Sequence, residues 1–258
     1  MVHVLILGAG KGKRMNAKDL PKVLYPFAEE PMVAHVVRAV KESGVCDRPT
    51  VVIGFLGDKV RAFLGDAVEY VEQKEQLGTG HAVSAAQAAL EGRADHVLVL
   101  NGDHPLIRPQ MIRGLAERHE NGGAAITLAT TTVPDFSDWR VCFAEFSRVV
   151  RSASGAITRI VEAKDASPAE REIRELHPTI FCFRAEWLWQ NIAKLSNKNV
   201  QSEYYITDLI QLAAEQGVSI DSFAAEPEEC LGVNTPEQLK FAEEIFGRRR
   251  KGAAALSS

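Results

Sequence analysis

The stretch Leu5-Ile6-Leu7-Gly8-Ala9-Gly10-Lys11-Gly12-Lys13-Arg14-Met15 (LILGAGKGKRM) carries the chain from an apolar run straight into glycines and cations. Residues 2–7 (VHVLIL) are nearly continuously apolar, the composition of a strand buried on both faces. A glycine loop after such a strand is a common place for a phosphate group. Two standard devices fail here on spacing. The dinucleotide fingerprint requires GxGxxG, and Lys13 stands where its third glycine belongs. The P-loop requires GxxxxGK[ST], but Gly8 and Gly12 are one residue too close and Arg14 follows Lys13. The chemistry survives the failed patterns. Glycines turn tightly and expose N–H groups to an anion. Lys11, Lys13 and Arg14 add positive charge, and Lys22 in LPKVL adds more. Such a group suits a triphosphate, and a displacement in which negative charge builds on phosphorus. Taken alone, the loop also reads as a solvated basic turn without a ligand.

Outward from this loop, strand and helix patterns alternate. Helical spacing of Val33, Val36, Val37 and Val40 ends at Gly44. Strands are expected at 50–54, 67–71 and 96–100, and helices at 58–64, 81–90 and 109–120. That alternation predicts an α/β, Rossmann-like mixed sheet, mostly parallel, with helices on both faces. After residue 123 the strands 124–131, 140–150 and 156–162 follow with few helices between them, which predicts a small antiparallel extension. A strand at 179–183, helices at 184–195 and from 207 or 208, and a final helix at 236–247 complete the expectation. The basic run after it reads as a flexible tail, residues 248–258.

The chain has 258 residues, 46% of them hydrophobic, and a formal net charge of -4. The mild acidity gives no nucleic-acid footprint, and a short terminal basic run reads as a solvated helix end. Cys46, Cys142, Cys182 and Cys230 have no CxxC spacing and are expected as reduced, buried thiols. No run approaches the roughly 18 apolar residues of a membrane span, so a cytoplasmic protein without membrane or nucleic-acid partners is expected.

Three further features carry chemistry. Asp103 ends the apolar strand at 96–100, at the edge where open sheets bind ligands. A carboxylate there suits Mg²⁺, which takes few protein ligands and bridges phosphates. In EQLGTGHAV (75–83), Gly78 and Thr79 precede a helix, and backbone there could read a base edge with Gln76 supplying an amide. Asn234 in VNTP is an uncharged oxygen donor, or a turn residue ahead of the last helix.

Together these residues resemble the nucleotidyltransferases that activate sugar 1-phosphates, and most of all the uridylyltransferase domain of the bifunctional N-acetylglucosamine-1-phosphate uridylyltransferases. The signature LxxGxGxRM is met by Leu7, Gly10, Gly12, Arg14 and Met15, followed by Pro21-Lys22-Val23-Leu24. EQLGTGHAV, GDxPL (102–106), IVExKDA (160–166), EYYITD (203–208) and GVN (232–234) follow in order, so the resemblance covers roughly residues 3–245. It implies a nucleotide-diphospho-sugar transferase fold over 1–247, with a nucleotide-binding half (1–122), a sugar-binding half (123–235) and the C-terminal helix. It implies that UTP and a sugar 1-phosphate, by default N-acetylglucosamine 1-phosphate, give a UDP-sugar and pyrophosphate. Arg14 and Lys22 would stabilise the phosphates, and Asp103 and Asn234 would hold Mg²⁺. Leu7, Gly8, Ala9 and Gly10 would cradle base and ribose, with Gln76, Gly78 and Thr79 reading uracil. Glu162, Tyr205 and Thr207 match sugar-side positions.

Three positions depart from the resembled pattern, all on the sugar side. Asn101 replaces a tyrosine before GD. Ser147 replaces the glycine of a YGR motif, read here as Phe146-Ser147-Arg148. His177-Pro178-Thr179 stands for NTG. Other acceptors therefore stay open (glucose, galactose or N-acetylgalactosamine 1-phosphate), as does dTTP. A dehydrogenase reading fails on the missing third glycine. A non-catalytic nucleotide-sugar-binding regulator is the third reading, disfavoured by the complete set of phosphate-side residues. The long hexapeptide-repeat acetyltransferase domain of the bifunctional enzymes is not found in the sequence, so neither acetyl transfer nor its trimer is expected. A monomer or small homo-oligomer is.

Overall fold

The computed structural model describes residues 1–15 and 19–256. β1 (Val2–Leu7) leads through the glycine loop to a two-strand hairpin, β2 (Pro26–Phe27) and β3 (Glu30–Pro31), and then α1 (Met32–Ser43). β4 (Thr50–Ile53), α2 (Gly57–Leu64), β5 (Glu69–Glu72), α3 (Thr79–Ser84), α4 (Gln87–Leu90), β6 (His96–Asn101) and α5 (Pro109–Gly122) continue the alternation. Next come β7 (Ile126–Thr132), β8 (Ser147–Arg151), β9 (Ile157–Val161), α6 (Pro168–Arg171), β10 (Glu175–His177) and β11 (Phe181–Arg184). α7 (Ala185–Asn191), α8 (Asp208–Glu215), β12 (Ile220–Ala224) and α9 (Pro236–Leu256) complete the chain.

The main sheet has the order β5-β4-β1-β6-β11-β7-β10-β8-β9, with β12 paired to β7. The strands β5, β4, β1 and β6 are mutually parallel. β11 runs antiparallel between β6 and β7, and β10, β8 and β9 form the antiparallel extension. The fold is thus the mixed Rossmann-like sheet the sequence predicts.

Alternation along the central strands explains why they read as continuous apolar runs. Val2, Val4 and Ile6 of β1 pack toward α1 and α5, with Leu98 and Leu100 of β6. Leu5, Val97 and Val99 pack the other way, among Val83, Leu90, Leu188 and Leu209 from the helices of the opposite face. A strand covered on both sides has no solvent face on which to place polar residues. Strand order reverses between β1 and β6, and their carboxyl ends, Leu7 and Asn101, lie in register. The backbone N–H of Gly102 donates to the Leu7 carbonyl at 2.9 Å. Ligands of open α/β sheets bind at such a reversal.

Three sequence expectations change. The strand expected over 140–150 begins only at Ser147, because Asp138–Glu145 forms a 3₁₀ segment. The buried Arg148 guanidinium gathers the carbonyls of Ala144 (3.0 Å) and Phe146 from the end of that segment, and Phe143 packs edge-on against Trp139 and Phe146. The helix expected at 81–90 starts at Thr79 and is interrupted after Ser84. The last helix does not stop at residue 247 but continues to Leu256. Arg248 and Arg249 reach Glu228 at 2.9 and 3.2 Å, and Arg249 also reaches the Leu106 carbonyl at 2.9 Å, which ties the start of the basic run to the body. No helix among the described residues is long and apolar enough to cross a membrane.

Candidate active site

The glycine loop lies across the carboxyl ends of β1 and β4. Gly8 donates its N–H to the Val52 carbonyl at 2.9 Å, and the buried Ala9 accepts from Phe55 N–H at 3.3 Å. Gly10 is exposed, with open space on the side where a Cβ would stand. Gly12 has φ +60, and a Cβ there would lie 2.7 Å from the Cβ of Lys22, so glycine is required for both conformation and space. Lys13, Arg14 and Met15 form a 3₁₀ turn in which Arg14 is exposed and Met15 is buried.

The stem of Lys22 runs over Gly12 and brings its ammonium group to the sheet edge. There Nζ donates to Asp103 Oδ2 and, at 2.8 Å, to Asn234 Oδ1. Asp103 follows β6 and is mostly buried. Burial opposes its charge, yet the Lys22 ammonium, helped by His104, holds the carboxyl below the usual carboxylate range. Asn234 is fixed by its own N–H, which donates to Gln238 Oε1 at 2.7 Å in the first turns of α9. One carboxylate oxygen and one amide oxygen therefore converge on a single cation. No group of three or more His, Cys, Asp or Glu side chains suited to a metal occurs among the described residues. Such a pair suits an ion held largely by its substrate, as Mg²⁺ commonly is, and not a closed protein cage.

The loop at 75–80 is braced from two directions. Gln73, buried after β5, donates Nε2–H to the Gly78 carbonyl at 3.1 Å and contacts His81 Nδ1 at 3.0 Å. Gln76 donates Nε2–H to the Gln73 carbonyl at 3.1 Å. Gly54, at the end of β4, makes room for this: an added Cβ would lie 2.8 Å from Ala9 Cβ and 2.9 Å from Gln76 Nε2. From the other half of the chain, Tyr204 N–H donates to the Leu77 carbonyl and accepts Gly80 N–H through its own carbonyl, both at 2.8 Å. Thr79 Oγ1 accepts the Ile206 N–H at 3.1 Å. The Thr79 hydroxyl thus joins this loop to the segment that follows Tyr204.

Among the residues expected on the sugar side, Glu162 is the centre. Ser147 Oγ donates to its Oε2 and Thr207 Oγ1 to its Oε1, each at 2.8 Å. Burial raises the Glu162 pKa against these two hydroxyls. Tyr205 is buried, donates its hydroxyl to Asp165 Oδ2 at 3.2 Å and accepts from Gln201 Nε2 at 2.8 Å. Asn101 is turned to the backbone, donating to the carbonyls of Pro178 (3.1 Å) and Thr179 (3.2 Å). His177 departs most from its expected place beside the sugar. Its ring is 1% exposed, donates Nδ1–H to the Ala129 carbonyl at 2.8 Å and packs on Phe181. Burial lowers its pKa to about 3, so the imidazole is neutral. It lies inside the sheet, on β10 between β7 and β8.

A cleft of about 180 Å³ is lined among others by Arg14 and Asn234 together with Glu162, Lys164 and Phe146. Gly54 and Gln73 carry no site role in the sequence reading, and Asp208 only ends the EYYITD motif. Gly54 was the terminal residue of a strand facing the glycine loop, a usable signal. Gln73 had none. Asp208 sits at the start of α8, where burial, Glu162 and Asp165 raise its pKa to about 6.

Comparison with known proteins bears on this geometry. The family described as MobA-like NTP transferase domain matches residues 4–209. The bifunctional protein GlmU of Geobacter metallireducens is 43% identical over 249 residues, covering 95% of this chain and 50% of the relative. GlmU of Brevibacillus brevis is 41% identical over 249 residues, covering 96% and 52%. The chain spans about half the length of these curated relatives. A UDP-glucose pyrophosphorylase solved with UDP-glucose superposes with a TM-score of 0.74 at 17% identity, over 96% of this chain and 100% of its own. CMP:2-keto-3-deoxy-manno-octonic acid synthetase with CTP gives 0.67 at 18%, over 96% and 99%. At those identities the two structures show a common fold. Sequence, fold and site together lead to one statement: the chain belongs to the NTP transferases, among the sugar-1-phosphate nucleotidyltransferases related to the uridylyltransferase domain of GlmU.

Proposed function

We propose that the chain transfers a uridylyl group from UTP to a sugar 1-phosphate, with N-acetylglucosamine 1-phosphate as the acceptor, releasing pyrophosphate. The observation that carries this reading is the meeting of Lys22, Asp103 and Asn234 at the reversal point of the sheet. An oxygen of the sugar phosphate attacks the α-phosphorus of UTP, the α–β bridging bond breaks, and pyrophosphate leaves in line. A phosphate monoester is largely ionised near neutral pH, so the attack needs no general base. Arg14 and Lys22 stabilise the charge that accumulates on the phosphate oxygens. Asp103 and Asn234 would hold Mg²⁺. The chemistry it would supply is neutralisation of negative charge on the phosphates. Exposed backbone at Gly10 gives base and ribose access, while Gln76 and the backbone of Gly78 and Thr79 read uracil. Glu162, oriented by Ser147 and Thr207, takes sugar hydroxyls.

Pyrophosphate release tests this, with UTP or dTTP, Mg²⁺ or chelator, and N-acetylglucosamine, glucose, galactose or N-acetylgalactosamine 1-phosphate. The expected result is Mg²⁺-dependent turnover, fastest with UTP and N-acetylglucosamine 1-phosphate. A different preferred acceptor would replace the substrate and keep the reaction. Nucleotide binding without turnover on any acceptor would return the chain to the regulator reading.

A further inference from the structure

Asn101, Ser147 and His177, the sugar-side departures, form one connected path. Asn101 ends β6 and its Nδ2 holds the carbonyls of Pro178 and Thr179 at 3.1 and 3.2 Å. Thr179 has φ +58, a left-handed conformation that a β-branched residue strongly disfavours. The amide clamps this strained turn. Just before the turn, His177 closes β10 in register with Ser147, the first residue of β8. The imidazole is anchored below by the Ala129 carbonyl and Phe181. Ser147 itself is 3% exposed, and its hydroxyl goes to Glu162 Oε2 at 2.8 Å. Thr207 already supplies a hydrogen to Oε1. A carboxylate offers about four acceptor positions. Ser147 therefore takes one that a glycine at this position would leave for the ligand.

We propose that Ser147, held in place by the turn that Asn101 clamps, is the specificity-determining residue of the acceptor site. By filling one acceptor position on Glu162 it lets the site take sugar 1-phosphates that lack, or invert, the hydroxyl facing Oε2. The inference rests on Glu162 being the sugar ligand of the proposed reaction. A buried acceptor left without a hydrogen is costly, so a site that depends on a substrate hydroxyl rejects acceptors lacking it. The wild-type chain avoids that dependence because the hydrogen comes from the protein.

The test uses the full chain, Ser147→Gly and Ser147→Ala, with UTP and hexose 1-phosphates differing at single ring carbons (glucose, galactose, mannose, 2-deoxyglucose, N-acetylglucosamine). At one carbon, wild type should discriminate by less than about threefold, and both variants by about tenfold or more, with the UTP KM unchanged. Ser147→Ala keeps the Cβ and so separates the lost hydroxyl from added space. Asn101→Ala should raise the acceptor KM alone, and Thr179→Gly in that background should lower it again by removing the strain. If both Ser147 variants scale every acceptor by one factor, or move the UTP KM instead, the specificity role is overturned. A wild-type chain inactive on every acceptor overturns the transferase reading as well.

Discussion

The two sides of the proposed site are built from different material. On the proposed nucleotide side, backbone and glycine do most of the shaping: Gly8 bonds to β4 and Ala9 to Phe55 just beyond it, Gly12 admits Lys22, and Gly54 admits Gln76. On the proposed sugar side, side chains meet side chains, with Glu162 held between two hydroxyls and Tyr205 between Gln201 and Asp165. A backbone-built surface depends on conformation, and few residue types can supply it. A side-chain surface can be altered one group at a time without refolding the strand beneath. Of the three departures from the resembled pattern, only Ser147 reaches Glu162, while Asn101 holds backbone and His177 is buried in the sheet.

The contrast can be tested from its strongest point downward. Asp103→Ala removes the partner of the Lys22 ammonium and a proposed Mg²⁺ ligand. The expected loss in kcat is about 10²–10³-fold, with the fold intact by circular dichroism. Full activity in that variant would end the metal assignment. Gly54→Ala comes next. Its Cβ would press on Ala9 and Gln76, at a strain of about 1–3 kcal/mol. The UTP KM should rise about tenfold with the acceptor KM unchanged. An equal rise in both would show that the two sides are not separable. Thr79→Val cuts the bond to Ile206 N–H that joins them. A stability loss of about 1 kcal/mol is expected, with both KM values rising together, as read by thermal melts and steady-state kinetics.

The smallest effect concerns pH. The Asp208 carboxyl titrates at about 6 in the folded chain, above its ordinary 3.8, because burial and the charges of Glu162 and Asp165 disfavour ionisation. An acid with a raised folded pKa binds its proton more tightly in the folded state. Its penalty is absent below about pH 4, grows between there and about 6, and is full above. Asp208→Asn should therefore match wild type near pH 4 and exceed it above pH 6. Partial exposure of the side chain reduces the expected gain to about 1 kcal/mol. A gain that is the same at every pH would point to a cause other than titration.

Much of the proposed nucleotide side was legible because its signals are local. The apolar run of β1, the glycine spacing and the residue after β6 are each contained in a few consecutive positions. Asp103 and Asn234 could be singled out as oxygen donors, but their meeting on Lys22 spans 81 and 212 residues of chain. No periodicity records such a distance. Residues 140–150 misled because β-branched and aromatic composition suits a strand, while the Arg148 guanidinium needed free carbonyls from a tighter turn. The last helix was stopped too early because a basic run reads as solvated, yet Glu228 and the Leu106 carbonyl were waiting for Arg249.

The sequence by itself determined the alternating α/β order, the phosphate-side loop and the chemical types available at the cleft, since these follow from local patterning and side-chain identity. Only the tertiary structure decided how they are used. It turned Asn101 to the backbone of a strained turn, buried His177 within the sheet and set Ser147 on Glu162. The physical reason is that a hydrogen bond depends on position to within a fraction of an ångström. Strands far apart in sequence acquire such positions only when the sheet has closed its register.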